Sequence, residues 1–194
     1  MLGERHVPCQ TCGMPAFPPL IVHVSEGIVA SEVEVGDAPA LVEACTDETT
    51  RRWLPLPDPY TLELAKGWCQ SIAPGMREAG TGLVLAVREN GSMVANVDAK
   101  RVDWRARTCE LSYWTLPAAR GRGLMPRAVR AVAAALIREL GFERIELRIA
   151  PANIASQRVA EKAGFTREGV ARNAGFTSEG RIDLTIWSLI PSDL

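Results

Sequence analysis

Two rhythms of apolar residues run through this chain. In one, apolar and polar positions alternate, as in a half-buried strand; in the other, apolar residues return every three or four positions, as on one helix face. The strand rhythm covers Ile28–Val35, Arg107–Leu116, Glu143–Ile149, Phe165–Val170 and Ile182–Ile190, the last two joined across Gly175–Gly180. It also covers Leu83–Arg88 and Ser92–Val102, and the Asn90-Gly91 between them predicts a hairpin. The helix rhythm covers a segment capped by Asp37 with Leu41, Ala44 and Cys45 on one face, then Thr61–Met76, Pro126–Leu140 and Asn153–Ala163. Thr46–Pro59 fits neither period and reads as a connecting passage. The order is strands before and after a central helix, with α/β alternation in the second half.

Arg120-Gly121-Arg122-Gly123-Leu124-Met125 stands between the strand ending at Leu116 and the strongest amphipathic helix, with Pro126 in that helix's first turn. A glycine-rich turn opening a helix presents backbone N–H groups to an anion, and the helix dipole reinforces them. Two arginines add charge-assisted donors for phosphate oxygens. The stretch therefore predicts a site for a phosphorylated ligand. It has neither the Gly-x-x-x-x-Gly-Lys-Ser/Thr of a P-loop nor the Gly-x-Gly-x-x-Gly of a dinucleotide fold.

Composition narrows the setting. With 194 residues, 47% of them hydrophobic, the chain can bury a real core. A net charge of -1 argues against nucleic acid as the principal partner. No run of eighteen apolar residues suggests a membrane span, and Met1–Pro8 does not resemble a signal peptide, so the expected location is cytoplasmic. Met1–Pro19 is rich in Pro, Gly and Cys; residues 1–20 are read as a loose extension and 21–194 as one domain. Cys9 and Cys12 form one Cys-x-x-Cys pair, but a structural zinc needs four ligands. The five cysteines read as reduced thiols and no metal is expected.

The sequence resembles the GNAT superfamily of N-acyltransferases, in particular its RimJ/RimL type. The motifs that carry the resemblance are Glu110-Leu111-Ser112-Tyr113-Trp114, Arg120-Gly121-Arg122-Gly123-Leu124, Asn153-Ile154-Ala155-Ser156 and Glu161-Lys162-Ala163-Gly164-Phe165, followed by Glu168-Gly169 and Asp183. It implies an α/β fold, a twisted mixed sheet with helices on both faces, with acetyl-CoA or another acyl-CoA in a V-shaped gap between neighbouring strands. Backbone N–H groups from Gly121 to Met125 would hold the pyrophosphate, beside Arg120 and Arg122. Main chain of Trp114, Thr115 and Leu116 would pair with the pantetheine arm. Asn153 would bind near the thioester, and Lys162 would reach a CoA phosphate or solvent. Two positions depart from the family pattern: Met125 replaces a small residue, and Ser112 replaces a glycine near the opening of the gap. The resemblance also implies that a homodimer is possible.

Acyl transfer to an amine needs a neutral amine, a polarised carbonyl and a protonated leaving thiolate. Deprotonating a lysine at pH 7 costs about 4.6 kcal/mol, against about 1 kcal/mol for an α-amine. Glu110 is the candidate base, with Asp98 and Asp183 as alternatives. Ser156 is the candidate acid, its other reading being a helix cap. No cysteine lies in a nucleophile motif, so direct transfer is expected. Trp53 lies near the expected acceptor entrance. Arg101, Arg105 and Arg107 suit an acidic acceptor or a carboxylated acyl group. The expected acceptor is a protein N-terminus or a small amine. A succinyl or longer acyl donor, and a non-catalytic acyl-CoA sensor, are the other readings.

Overall fold

The computed structural model describes residues 15–177 and 180–194. Cys9, Cys12 and most of the expected extension lie outside that range, as do Ser178 and Glu179 in the Gly175–Gly180 connection. Eight strands form one sheet: β1 (Val22–Ser25), β2 (Ile28–Glu32), β3 (Leu83–Glu89), β4 (Ser92–Asp103), β5 (Thr108–Thr115), β6 (Arg144–Ile149), β7 (Thr166–Thr177) and β8 (Gly180–Leu189). Their order is β1-β2-β3-β4-β5-β6-β8-β7. The pair β5–β6 is parallel and every other neighbouring pair is antiparallel.

The two faces of the sheet take different partners. Val97 and Ala99 of β4, Leu111 of β5 and Ile145 and Leu147 of β6 pack on α5 (Leu124–Leu140), which contributes Val129, Val132 and Leu136. The next helix on this face, α6 (Ile154–Lys162), adds Ala160. On the opposite face, Val84 and Ala86 of β3 meet α1 (Ala38–Thr46) and α3 (Leu62–Gly67), joined by a π-helical turn (Trp68–Ile72) to α4 (Ala73–Glu78). Helices cover β3 on both faces, so its side chains are buried almost throughout. In β6, Ile145, Leu147 and Ile149 are buried while Arg144, Glu146 and Arg148 on the other face are half-buried.

Several boundaries differ from the sequence pattern. The strand from Ile28 stops at Glu32, because Val35–Asp37 turns into a 3-10 helix. Thr46–Pro59 contains a short helix, α2 (Glu48–Trp53), capped by Asp47, whose carboxylate accepts the Thr50 N–H at 2.9 Å. Strand β1 escaped the pattern because it is short and paired only at the sheet edge. Within the stretch read as an extension, Phe17 is fully buried against Trp104 and Phe142, and its N–H donates to Arg77 O at 3.0 Å.

Candidate active site

The gap forms where β5 and β6 part. Their ladder runs from Thr108↔Arg144 to Glu110↔Glu146 and stops there. Beyond it, β6 stays on β8 as far as Ile149↔Thr185, and β5 stays on β4 as far as Thr115↔Ala95. The edges of the two strands that face the gap have no ladder partner among the described residues. Trp114 and Thr115 lie on that open edge, and Leu116 follows with its N–H bonded to Val94 O at 3.0 Å. The β4–β5 register is unbroken through Ser112, so the gap opens by divergence of strands rather than by a bulge at Ser112.

The glycine turn sits at the exit of β5. Gly121 has φ +75° and Gly123, the N-cap of α5, has φ +69°. Both are left-handed conformations that glycine adopts without the Cβ clash. A Cβ at either position would meet nothing within 4 Å, so the space beside the turn is open. The first-turn N–H groups of α5 lack intrahelical acceptors. Leu124 and Met125 point their side chains into the core, where they are 3% and 5% exposed. The bulk of Met125 thus lies away from the turn, and only backbone faces the open side. The turn has the donors and the room that a pyrophosphate requires.

Both arginines of the turn are tied to protein carboxylates. Arg120 donates through Nε to Thr115 O at 3.1 Å and pairs with Asp47, the cap of α2. That pairing holds the Asp47 carboxyl below its ordinary pKa. Arg122 forms a bidentate pair with Glu89 at 2.9 and 2.6 Å. Lys162 lines an open basic groove of about 670 Å³ along the outer side of α5, with Arg127, Arg130 and Arg138.

At the start of α6, the Asn153 side-chain oxygen accepts the Ser156 N–H at 3.1 Å. Asn153 is therefore the cap, and the Ser156 hydroxyl is used elsewhere. It lies 2.8 Å from the hydroxyl of Tyr113 on β5, a bond that spans the gap. Burial raises the Tyr113 pKa to about 12, so the phenol stays protonated. Contact between β5 and α6, which brings Tyr113 to Ser156, depends on tertiary packing and leaves no local signal in the sequence.

Residues alternate across a strand, so Asn96, Asp98 and Lys100 of β4 share one face with Glu110, Ser112 and Trp114 of β5. Trp114, Tyr60 and Trp68 pack at the margin of the α1–α3 cluster on that face. Glu110 is buried and held by Lys100 at 3.3 Å and Arg101 at 3.1 Å, beside the last β5–β6 pair. Asp98 Oδ1 is buried without a hydrogen-bond partner, and burial pushes the carboxyl pKa up to about 7. Asp183 lies on β8, where it accepts the Asn173 N–H of β7 at 2.7 Å and ties the two strands together. Of the arginines read as suited to an acidic ligand, Arg101 is engaged by Glu110 and Arg107 lies 3.8 Å from Glu143. Trp53 ends α2 beneath the Arg52 guanidinium, 4.9 Å from its ring centre. Burial raises the thiols of Cys45 and Cys69 to about 11 and that of Cys109 to about 12, which makes them poor nucleophiles near neutral pH. Among the described residues no group of three or more His, Cys, Asp or Glu side chains could hold a metal.

A parallel pair that diverges beside a glycine cradle, within a mixed sheet covered on both faces, matches the architecture implied by the sequence motifs. The model of the acetyltransferase (GNAT) domain family matches residues 29–166, and the chain belongs to this family. A 62-residue stretch is 44% identical to the probable N-acetyltransferase YjcK of Bacillus subtilis (strain 168). That match covers 32% of this chain and 34% of YjcK, about a third of the curated relative's length. A crystal structure of a probable acetyltransferase superposes with a TM-score of 0.78 at 25% identity, over 90% of this chain and 99% of that one. Mycobacterium smegmatis RimJ, solved with a CoA-disulfide, has a TM-score of 0.79 at 19% identity, over 91% and 88% of the two chains. RimJ-type proteins are thus among its structural neighbours.

Proposed function

We propose that this protein transfers an acetyl group from acetyl-CoA to a primary amine by direct attack. The observation that carries the reading is the divergence of β5 and β6 after Glu110↔Glu146, with the open cradle of Gly121 and Gly123 at its exit. Backbone N–H groups from Gly121 to Met125 hold the pyrophosphate. The gap-facing main chain of Trp114–Leu116, which has no ladder partner beyond Glu110↔Glu146, receives the pantetheine arm, and Asn153 lies at the pantetheine or thioester end. Arg120 and Arg122 shape the turn through Asp47 and Glu89 and lend positive potential, while Lys162 meets the nucleotide end.

The acceptor, a protein N-terminus or a small amine, approaches over the face that carries Asp98 and Glu110. The sequence motif favours Glu110 as base. Its carboxylate is already engaged by Lys100 and Arg101, at 3.3 and 3.1 Å. Asp98 has a free buried oxygen and a pKa near the working pH, which suits a general base. We therefore assign proton acceptance to Asp98 and give Glu110 the fixing of Lys100 and Arg101 beside it. The amine nitrogen bonds to the acyl carbon and the carbon–sulfur bond breaks. The amine proton passes to Asp98 and the Ser156 hydroxyl protonates the departing sulfur; Asp98 then releases its proton to solvent and Ser156 takes one back from solvent. Tyr113, whose hydroxyl lies 2.8 Å from Ser156 Oγ and donates to Ser156 O at 3.3 Å, holds the serine hydroxyl at the gap. Buried, high-pKa thiols favour this direct route over a cysteine-bound acyl group. No helix among the described residues is long and apolar enough to cross a membrane, and a cytoplasmic setting is part of this proposal.

The first test is thermal shift of the purified protein with CoA, acetyl-CoA, succinyl-CoA and ATP. A ligand at 100 times its Kd stabilises by about 2.7 kcal/mol, roughly 5–10 °C in a chain of this size. The expected result is a shift with CoA species and none with ATP. A flat response to every CoA species would remove the basis of the proposal.

A further inference from the structure

Four buried side-chain polar atoms among the described residues lack a hydrogen-bond partner: Arg77 Nε, Asp98 Oδ1, Glu110 Oε2 and Arg148 Nε. Two of them sit inside ion pairs, Arg77 with Glu32 at 3.0 Å and Glu110 with Arg101 at 3.1 Å. Asp98 and Arg148 remain, one acid and one base. Both flank β5 on the same face of the sheet. Asp98 is opposite Ser112 in the β4–β5 ladder. Arg148 follows Glu146, the last β6 residue paired with β5, by two positions, and so stands on the same face at the mouth of the gap.

Arg144, one alternation earlier than Glu146 on this strand, shows what a satisfied arginine looks like here. It donates to Glu146 at 2.8 Å and to both oxygens of Glu168. The nearby carboxylates are therefore committed: Glu146 and Glu168 to Arg144, Glu110 to Lys100 and Arg101. A guanidinium is a planar fork of donors whose best partner is a carboxylate bound through two oxygens. Leaving its buried Nε–H unmade costs stability with no return inside the protein.

We propose that Arg148 is the binding residue for a carboxylate carried by one of the two substrates, resting on the acyltransferase reading above. The same chemistry has two sources. A carboxylate close to the amine makes the acceptor an amino acid or similar compound, with its nitrogen toward Asp98. A carboxylate at the far end of the acyl chain makes the donor succinyl-CoA or a homologue.

The experiment measures initial rates of the full chain, wild type, Arg148→Gln and Arg148→Lys. One arm pairs amino acids with their amides as acceptors; the other pairs succinyl-CoA with acetyl-CoA as donors. Thermal shifts with the same ligands report binding independently of turnover. In wild type the carboxylated member of one pair is favoured, in kcat/KM or in thermal shift. Arg148→Gln lowers that preference about tenfold or more, mainly by raising KM for the carboxylated member relative to the uncharged one. Arg148→Lys, which keeps the charge and the bulk, retains part of it. The arm that responds names the source. CoA binding with no preference for a carboxylate in either arm overturns the assignment of Arg148 and leaves the family chemistry intact. Absence of binding by every CoA species overturns both.

Discussion

The two halves of this site are built from different materials. On the proposed cofactor half, the atoms assigned to the donor are backbone groups, at Gly121–Met125 and along Trp114–Leu116, held by a core that includes Leu124, Met125 and Val129. On the proposed acceptor half they are side chains: Asp98, Glu110, Ser156 with Tyr113, and, on the further proposal, Arg148. Backbone donors are deleted only by proline and are otherwise merely displaced. Side-chain donors and acceptors can be deleted one at a time. The halves should therefore fail differently, one by gradual weakening of binding and the other by abrupt loss of chemistry.

The sharpest break is expected at Asp98. Asp98→Asn should lower kcat/KM at pH 8 by roughly 10²–10⁴, the usual worth of a general base. In wild type, kcat/KM should climb with pH through a midpoint near 7 as Asp98 ionises. That limb should stay in place when the acceptor amine is changed and vanish in Asp98→Asn. The sign of the stability effect is fixed by the same shift. A carboxyl whose folded pKa is raised contributes stability at low pH that is lost as pH rises through 7. Asp98→Asn should thus melt higher than wild type at pH 8 and gain little at pH 4, by scanning fluorimetry. A pH limb that survives in Asp98→Asn and disappears in Glu110→Gln would return the base to Glu110.

Next in size is the acid side. Ser156→Ala should cost about 10²-fold in kcat with CoA affinity near wild type. Tyr113→Phe removes only the partner that orients the serine and should cost about tenfold. If Tyr113→Phe proved as damaging as Ser156→Ala, the tyrosine would be the acid and the serine its bridge.

The smallest effect is expected on the backbone half. Gly123→Ala forces a Cβ into a left-handed conformation, at a cost of about 1–2 kcal/mol. CoA affinity should fall about tenfold, measured by titration calorimetry, while kcat at saturating donor is nearly kept. A complete loss of CoA binding from this one methyl group would mean that the cradle is less forgiving than its open surroundings suggest.

The same division explains what could be read from the chain alone. The cradle was legible because it is local: strand, glycine turn and helix follow one another in sequence, and helix propensity, proline placement and glycine spacing all bear on six residues. The hairpin at Asn90-Gly91 and the alternation of β6 were legible for the same reason. The acceptor half is assembled from β4, β5, β6 and α6, which meet only when the sheet forms. Nothing near Asp98 in sequence shows that one of its carboxylate oxygens ends up buried without a partner, and nothing near Arg148 shows that Arg144 has already taken Glu146 and Glu168. The helix at Glu48–Trp53 was missed because six residues are too few to display a period, although Asp47 three positions before Thr50 carried a capping signal.

The bond from Arg120 to Asp47 has a consequence for anyone wishing to alter the acceptor. Surface connections of this kind are the natural targets for redesign, since they tolerate change. Here the loop residue that begins α2 is also the anchor of the turn below it. Grafting a foreign α1–α2 connection would remove the counter-ion of Arg120 together with the cap, and the disturbance would arrive at the donor's binding turn. A library that varies the entrance while keeping Asp47 and Thr50 would change selectivity without loosening the grip on the donor.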